Sequence, residues 1–287
     1  LSIEFPDVPD VPDVPDVPDV PDELALYATQ PAGWSRDAVA QLGRRLRLSG
    51  EVADRGLWYV VDDGRAALEV YQASQSFRFA RRQQDGETAG AAGGPADETR
   101  SRAVADRWVE AFAPAGASFG VHSVDEQEVL VAERGVEEPR RLVSGLQVSY
   151  GFTLGGVALL GPGAKMQVGV DPAGGISGAY RFWREPRAAG ATRTVRPEEA
   201  FDRFSRSELF ADLSDRSAQA EVGAVRLGYL CLPPTEPQGL LVPAYELRGA
   251  LATGLQPRYE FVSYVAAADV AGGRDRWAQV RSGLVTA

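Results

Sequence analysis

Lys165 is the single lysine of this 287-residue chain. A lysine amine that is taken out of water loses its proton more readily and can attack a carbonyl carbon to form an imine. It closes the string Gly161-Pro162-Gly163-Ala164-Lys165, which superficially looks like a phosphate-cradling loop. The spacing is not that of such a loop, and the segment leads into a strand pattern rather than a helix, so a turn with a solvated lysine is the plainer reading. His122 is the only histidine and has no Ser or Cys close by in sequence, which favours a structural role. Cys231, within Leu230-Cys231-Leu232, is the only cysteine, so no internal disulfide can form, and a buried inert thiol is the default. The acid pairs Glu137-Glu138 and Glu198-Glu199 read as loop and helix-start charges, although two carboxylates could still be assembled across the fold. One His and one Cys leave too few ligands for zinc, copper or haem, while a calcium or magnesium site built from carboxylates stays open. No Gly-x-Ser-x-Gly elbow occurs. No cofactor and no catalytic residue is expected.

Recognition chemistry is better represented. Pro233, Pro234 and Pro237 stiffen the connection 232–239, which also carries Glu236, and Pro243 follows inside a strand pattern, where it implies an edge or a bulge. Tyr229, Tyr245, Tyr259, Tyr264 and Trp183 supply aromatic groups of the kind that anchor interfaces. Either these rings form a recognition surface or they fill the core. The binding set drawn from this region is Pro233, Pro234, Glu236, Tyr229, Tyr245 and Trp183, with Lys165.

Composition narrows the partners. The formal net charge is -10 and the pI about 4.8. Nucleic-acid binding needs clustered cations on phosphates, so nucleic acid is not an expected partner, and anionic membrane surfaces are disfavoured likewise. The longest weakly polar run, residues 151–161, is too short to span a bilayer. The chain opens on Leu1 rather than Met, which raises the expectation of a leader or anchor upstream.

Six Pro-Asp pairs recur at a period of three from Pro6 to Asp22. Proline at that density excludes helix and sheet interior and favours polyproline II, which has three residues per turn. The seventeen residues would reach roughly 50 Å, with Asp7, Asp10, Asp13, Asp16, Asp19 and Asp22 along one edge. Neighbouring carboxylates about 9 Å apart do not converge on a metal ion, so the arm reads as a semi-rigid acidic spacer.

Behind these groups stand the elements that must position them. Ser35 is an N-cap signal ahead of Val39, Leu42 and Leu46. The run Leu57-Trp58-Tyr59-Val60-Val61, the turn Asp62-Asp63-Gly64 and Ala67-Leu68-Glu69-Val70-Tyr71 predict a hairpin. Residues 83–95 read as a mobile loop, and 97–112 as a helix with Val104, Trp108, Val109 and Phe112 on one face. Strand patterns follow at 117–122, 128–133, 142–153, 165–170 and 176–183. Pro197 with Glu198 and Glu199 marks a third helix start, and strands at 221–231, 240–250 and 258–269 come after it. Helix then antiparallel strands thus recurs, which predicts an α+β fold of three such units, stacked or sharing a sheet. The boundaries are 1–23 for the arm, 24–95, 96–190 and 191–270 for the units, and 271–287 for a C-terminal tail.

The strings Trp58-Tyr59-Val60-Val61-Asp62-Asp63-Gly64-Arg65 into Leu68-Glu69-Val70-Tyr71, and Met166-Gln167-Val168-Gly169-Val170-Asp171 into Gly174-Gly175-Ile176-Ser177-Gly178, resemble the PepSY-like repeated domains of bacterial extracytoplasmic proteins. The resemblance covers about a fifth of the chain. It implies a non-catalytic module that binds or regulates a protein or peptide partner outside the cytoplasm. Two other readings stand beside it: an enzyme with a carboxylate- or Lys-assisted site in a cleft between units, and a small-molecule-binding scaffold.

Overall fold

The computed structural model describes residues 2–4, 20–30, 33–82, 97–114, 117–131, 140–205, 219–253 and 256–268. Most of the Pro-Asp-Val repeat and all of residues 83–95 lie outside the described residues. The elements in chain order are β1 (Ser2–Glu4), β2 (Glu23–Thr29), α1 (Arg36–Arg45), β3 (Val52–Asp54), β4 (Trp58–Asp62), β5 (Ala66–Tyr71), β6 (Phe77–Arg81), α2 (Glu98–Phe112), β7 (Ser118–Val131) and β8 (Arg140–Leu154). They continue with β9 (Val157–Leu160), β10 (Lys165–Val170), β11 (Ile176–Phe182), β12 (Pro186–Arg193), α3 (Pro197–Ser205), β13 (Gln219–Leu230), β14 (Leu240–Thr253) and β15 (Gln256–Ala266).

Local signals place the ends of these elements. The Ser35 hydroxyl accepts the Ala38 N–H at 3.1 Å to start α1, and the Asp97 carboxylate does the same for Arg100 at the start of α2. Between β4 and β5, Gly64 takes a positive φ of 84° that side chains other than glycine's resist, and Asp63 accepts the N–H groups of Ala66 and Arg65. Those two bonds, the one to Ala66 foremost, hold the Asp63 carboxyl below its ordinary value.

The α+β prediction of three helix-plus-strand units is overturned: the fold is mainly β. Among the described residues fifteen strands form one mixed sheet with the order β12-β2-β14-β13-β9-β8-β10-β11-β6-β5-β4-β3, with β1 beside β13, β15 beside β14 and β7 beside β8. The helices are only 10, 15 and 9 residues long and lie on this sheet. Sequence proximity suggested units because each helix precedes a hairpin. Backbone hydrogen bonding has no such boundary, and β6 pairs with β11 across a hundred residues, from Phe77↔Arg181 to Ala80↔Gly178. Pairing is antiparallel except for β9 and β1, which run parallel to β13.

Pro243 is inside β14, at the point where the strand's outer neighbour changes. β2 pairs at Leu240 and Leu241, and β15 pairs from Ala244 onward. The Pro243 carbonyl accepts from Ala267 on that outer side, so its missing N–H interrupts no ladder.

Helices α1 and α2 cover one face of the β3–β11 sheet. Val39, Leu42, Trp108 and Val109 pack there against Val61, Leu68, Phe77, Val148 and Met166. Each fully buried side chain of that size contributes roughly 1.5–3 kcal/mol. A smaller cluster, with Phe204 of α3 against Tyr245, Leu247 and Phe261, lies at the far end of the sheet. No helix among the described residues is long and apolar enough to cross a membrane.

The β6–β11 junction is locked by Ser76, which is fully buried. Its hydroxyl donates to the Trp183 carbonyl at 3.2 Å and accepts the Trp183 N–H at 2.9 Å. Ser76→Ala leaves both backbone groups without a partner, and a loss of about 2 kcal/mol is expected in urea denaturation. A loss below about 0.5 kcal/mol would show that the junction holds without this lock.

Candidate functional site

Three of the aromatic residues singled out from the sequence, Tyr229, Tyr245 and Trp183, are core residues, whereas Tyr264 is only partly buried. Tyr229 is buried and its hydroxyl donates to the Ala25 carbonyl; Tyr245 is buried and donates to the Val195 carbonyl. Burial pushes both phenols up to about 12. Trp183 packs its ring on Phe152 at 4.9 Å in the main core. These three rings present no surface to a partner.

The proline-rich connection has a structural function. The buried Arg184 guanidinium donates to the carbonyls of Leu232 (2.6 Å), Pro233 (2.7 Å) and Glu236 (2.6 Å), which wrap around it. Ser74 donates to the Pro234 carbonyl, and the Gln238 amide ties Leu230, Leu232 and Leu240 together. Pro233, Pro234 and Glu236 are thus brought together, but through their backbone. Desolvation lowers the Arg184 pKa, yet the three carbonyl dipoles point at the charge and keep it tolerable. Cys231 alongside is fully buried, with its thiol pushed up to about 12, which keeps it in the unreactive protonated form.

The other flagged groups are dispersed. His122 is exposed on β7, where the register shifts between Val121 and Ser123. Glu198 and Glu199 are in the first turn of α3, and Glu199 pairs with Arg203 at 2.7 Å. Glu137 and Glu138 lie outside the described residues. Among the described residues no group of three or more His, Cys, Asp or Glu could hold a metal ion.

The remaining sequence-flagged residue, Lys165, leads to a site. Strand side chains alternate between faces. While Met166, Val168 and Ala179 point under the helices, Lys165, Gln167, Gly169, Gly178, Tyr180 and Phe182 point to the opposite face, which no helix covers among the described residues. Register aligns this open face into rows. One runs Val60–Glu69–Arg78–Tyr180–Gln167–Ser149–Ser123, and the next runs Asp62–Ala67–Ala80–Gly178–Gly169–Gln147–Asp125. The second row has only small side chains in its middle, so it sinks below the first. The result is an open groove of about 350 Å³, floored by Ala80, Gly178 and Gly169 and walled by Arg78, Tyr180, Gln167, Gln147 and Gln127.

The groove is polar but incompletely satisfied. Gln167 donates to the Ser149 hydroxyl at 3.0 Å; Gln127 reaches Gln147 at only 3.5 Å and Ser177 reaches Gln127 at 3.4 Å. Each amide has two donor hydrogens and an acceptor oxygen, so most of that capacity faces the groove. Tyr180 and Phe182 stack at 4.5 Å and 18°, with Tyr71 edge-on to Phe182. The Lys165 ammonium is 5.6 Å from the ring centroid of Tyr180, a residue of the groove wall, although Lys165 does not itself line the groove. Sequence reasoning passed over these glutamines. The signal was there in the alternating phase of β8 and β10: Gln147, Ser149 and Gly151, then Lys165, Gln167 and Gly169.

Arg184→Met keeps the aliphatic stem but removes the donor to the Leu232 and Glu236 carbonyls, while the Pro233 carbonyl keeps the Glu236 N–H, and a loss of about 3 kcal/mol is expected in urea denaturation. A loss below about 1 kcal/mol would mean that water replaces the guanidinium. Half-burial lowers the Lys165 pKa from 10.5 by desolvation. The charged form is therefore penalised in the folded state, and stability contributed at this site rises with pH between the folded pKa and 10.5. Because the chain has one lysine, reductive 13C-methylation gives a single ε-amine NMR signal; its midpoint is expected below that of the same group in urea-unfolded protein. An equal or higher midpoint would place the amine in open water.

No family model matches the chain, and no curated protein matches it. The fold is similar to the crystal structure of an uncharacterized protein from Eubacterium rectale, with a TM-score of 0.51 at 10% identity over 86% of this chain and 84% of that one. That likeness shows the fold alone.

Proposed function

We propose that this chain is a non-catalytic binding module that takes its ligand on the open sheet face, in the groove walled by Gln127, Gln147 and Gln167. The observation that carries this is the chemistry of the wall. Amides and hydroxyls hold partners by hydrogen bonds but do not exchange protons at neutral pH, so the groove is built to retain a ligand rather than transform it. Tyr71, Tyr180 and Phe182 add aromatic surface beside it, in place of the core rings Tyr229, Tyr245 and Trp183. Action outside the cytoplasm belongs to the same proposal, and its support is the PepSY-like resemblance of the two hairpins.

A second reading, an amine-assisted enzyme, is favoured by one feature: Lys165 is half-buried with a lowered pKa beside the groove. The two readings separate on Lys165→Met, which abolishes an imine-forming activity but leaves a binding module able to bind.

Ala80 is on the groove floor with its side chain on the open face, so Ala80→Trp fills the space without entering the core. Arrays of immobilised oligosaccharides and of peptides, probed with both proteins, are expected to show signals with the unsubstituted chain that fall at least about tenfold with Ala80→Trp, at unchanged thermal stability. Equal signals from the two proteins would remove the groove from the function.

A further inference from the structure

The lining of the groove narrows the class of ligand. Its floor crosses β6, β11 and β10 and ends at Gln147 on β8. Four neighbouring strands at ~4.8 Å spacing give it a length of about 14 Å. Along that length stand neutral groups that both donate and accept, Gln167 and Gln147 on the floor's flank and Gln127 with Ser177 lying directly over Gly169. Beside them Tyr180 and Phe182 form a stacked aromatic pair. Vicinal hydroxyls that bond to amides, and C–H faces that lie on aromatic rings, are the two contacts a pyranose sugar makes.

An extended peptide fits less well. Its backbone groups on one side recur every second residue, about 6.7 Å, and fall out of step with wall groups that recur at ~4.8 Å across the strands. A pyranose ring is about as wide as one strand spacing and keeps step with them.

Charge adds a further restriction. Two cations flank Tyr180: Arg78 is its cross-strand neighbour, and the Lys165 ammonium stands 5.6 Å from its ring. Neither has a carboxylate within ion-pair distance among the described residues. Glu69 stands directly opposite Arg78 on the neighbouring strand and accepts from the Tyr71 hydroxyl at 3.4 Å, so it offsets part of the Arg78 charge, but it is not part of the groove wall. In a chain of net charge -10, this is a local cationic site that a ligand carboxylate would complete.

We infer that the open-face groove binds a carboxylated oligosaccharide, with a sugar ring against the edge of the Tyr180–Phe182 stack, hydroxyls on the glutamine amides, and a carboxylate between Arg78 and Lys165. This rests on the binding function proposed above and specifies its ligand.

The test is isothermal titration calorimetry with a short oligogalacturonate and with its fully methyl-esterified counterpart, which has the same rings without the charge. The oligogalacturonate is expected to bind the unsubstituted chain, at least about tenfold more tightly than the ester, and more weakly as salt rises. Gln167→Leu and Tyr180→Ala are each expected to weaken it about tenfold or more, while Arg78→Met and Lys165→Met weaken the acid but not the ester. Both Gln167 and Tyr180 face away from the core, and circular dichroism of each variant checks that it folds. The inference is overturned by no oligogalacturonate binding, by equal affinity for acid and ester, or by binding indifferent to both Gln167→Leu and Tyr180→Ala. A peptide signal that Ala80→Trp removes, with no sugar bound, would keep the binding module and reject the sugar. Sugar binding that survives Ala80→Trp would reject the groove itself.

Discussion

The pairing of β6 with β11 is the contact on which the rest of the molecule depends. It joins the amino-terminal hairpins to the long central strands and turns separate sheets into one continuous surface. Its loop-closure cost is set by a separation of a hundred residues, and such non-local pairing needs interactions that favour a single register. Ser76 bonded twice to Trp183, and the Arg181 guanidinium bonded to the Gln75 and Phe112 carbonyls, supply them. A slip of one residue would turn Phe77 and Phe79 outward and Arg78 into the core.

Once the register is set, the two faces take on opposite chemistry. Under α1 and α2 the side chains are large and apolar and pack at close contact. On the other face the same strands present glutamine, serine, tyrosine and glycine. The groove follows from that division: it needs Ala80 and Gly178 in one row, and Arg78 and Tyr180 in the next, on the same side of four strands. The stability of the site is thus the stability of the core beneath it. The Arg184 cage at the sheet's side is a separate device, since it fixes the proline-rich connection without touching the groove.

Several elements were readable residue by residue. Ser35 caps the helix that follows it, Pro197 opens α3, and Asp62-Asp63-Gly64 and Asp171-Pro172-Ala173-Gly174-Gly175 turn the hairpins β4–β5 and β10–β11. The unit architecture was not readable, because helix-then-hairpin recurs in the chain while the strands pair across those divisions. Tyr229, Tyr245 and Trp183 looked equally suited to surface or core, since an aromatic residue in a strand pattern fits both. Gln127, Gln147 and Gln167 stand on three strands, and no local pattern marks them as neighbours.

What the chain determines by itself is local: where the backbone turns, where helices begin, which residues alternate along each strand, and that the repeat from Pro6 to Asp22 cannot be helix or sheet interior. These follow from dihedral preferences and short-range hydrogen bonds that act within a few residues. Lys165 was visible as the single amine, but its environment was not. Only the tertiary structure decided that it stands over Tyr180 beside a glutamine-lined groove, because strand partners are chosen by packing of the whole sheet, and the uncovered face is defined by where the helices come to rest.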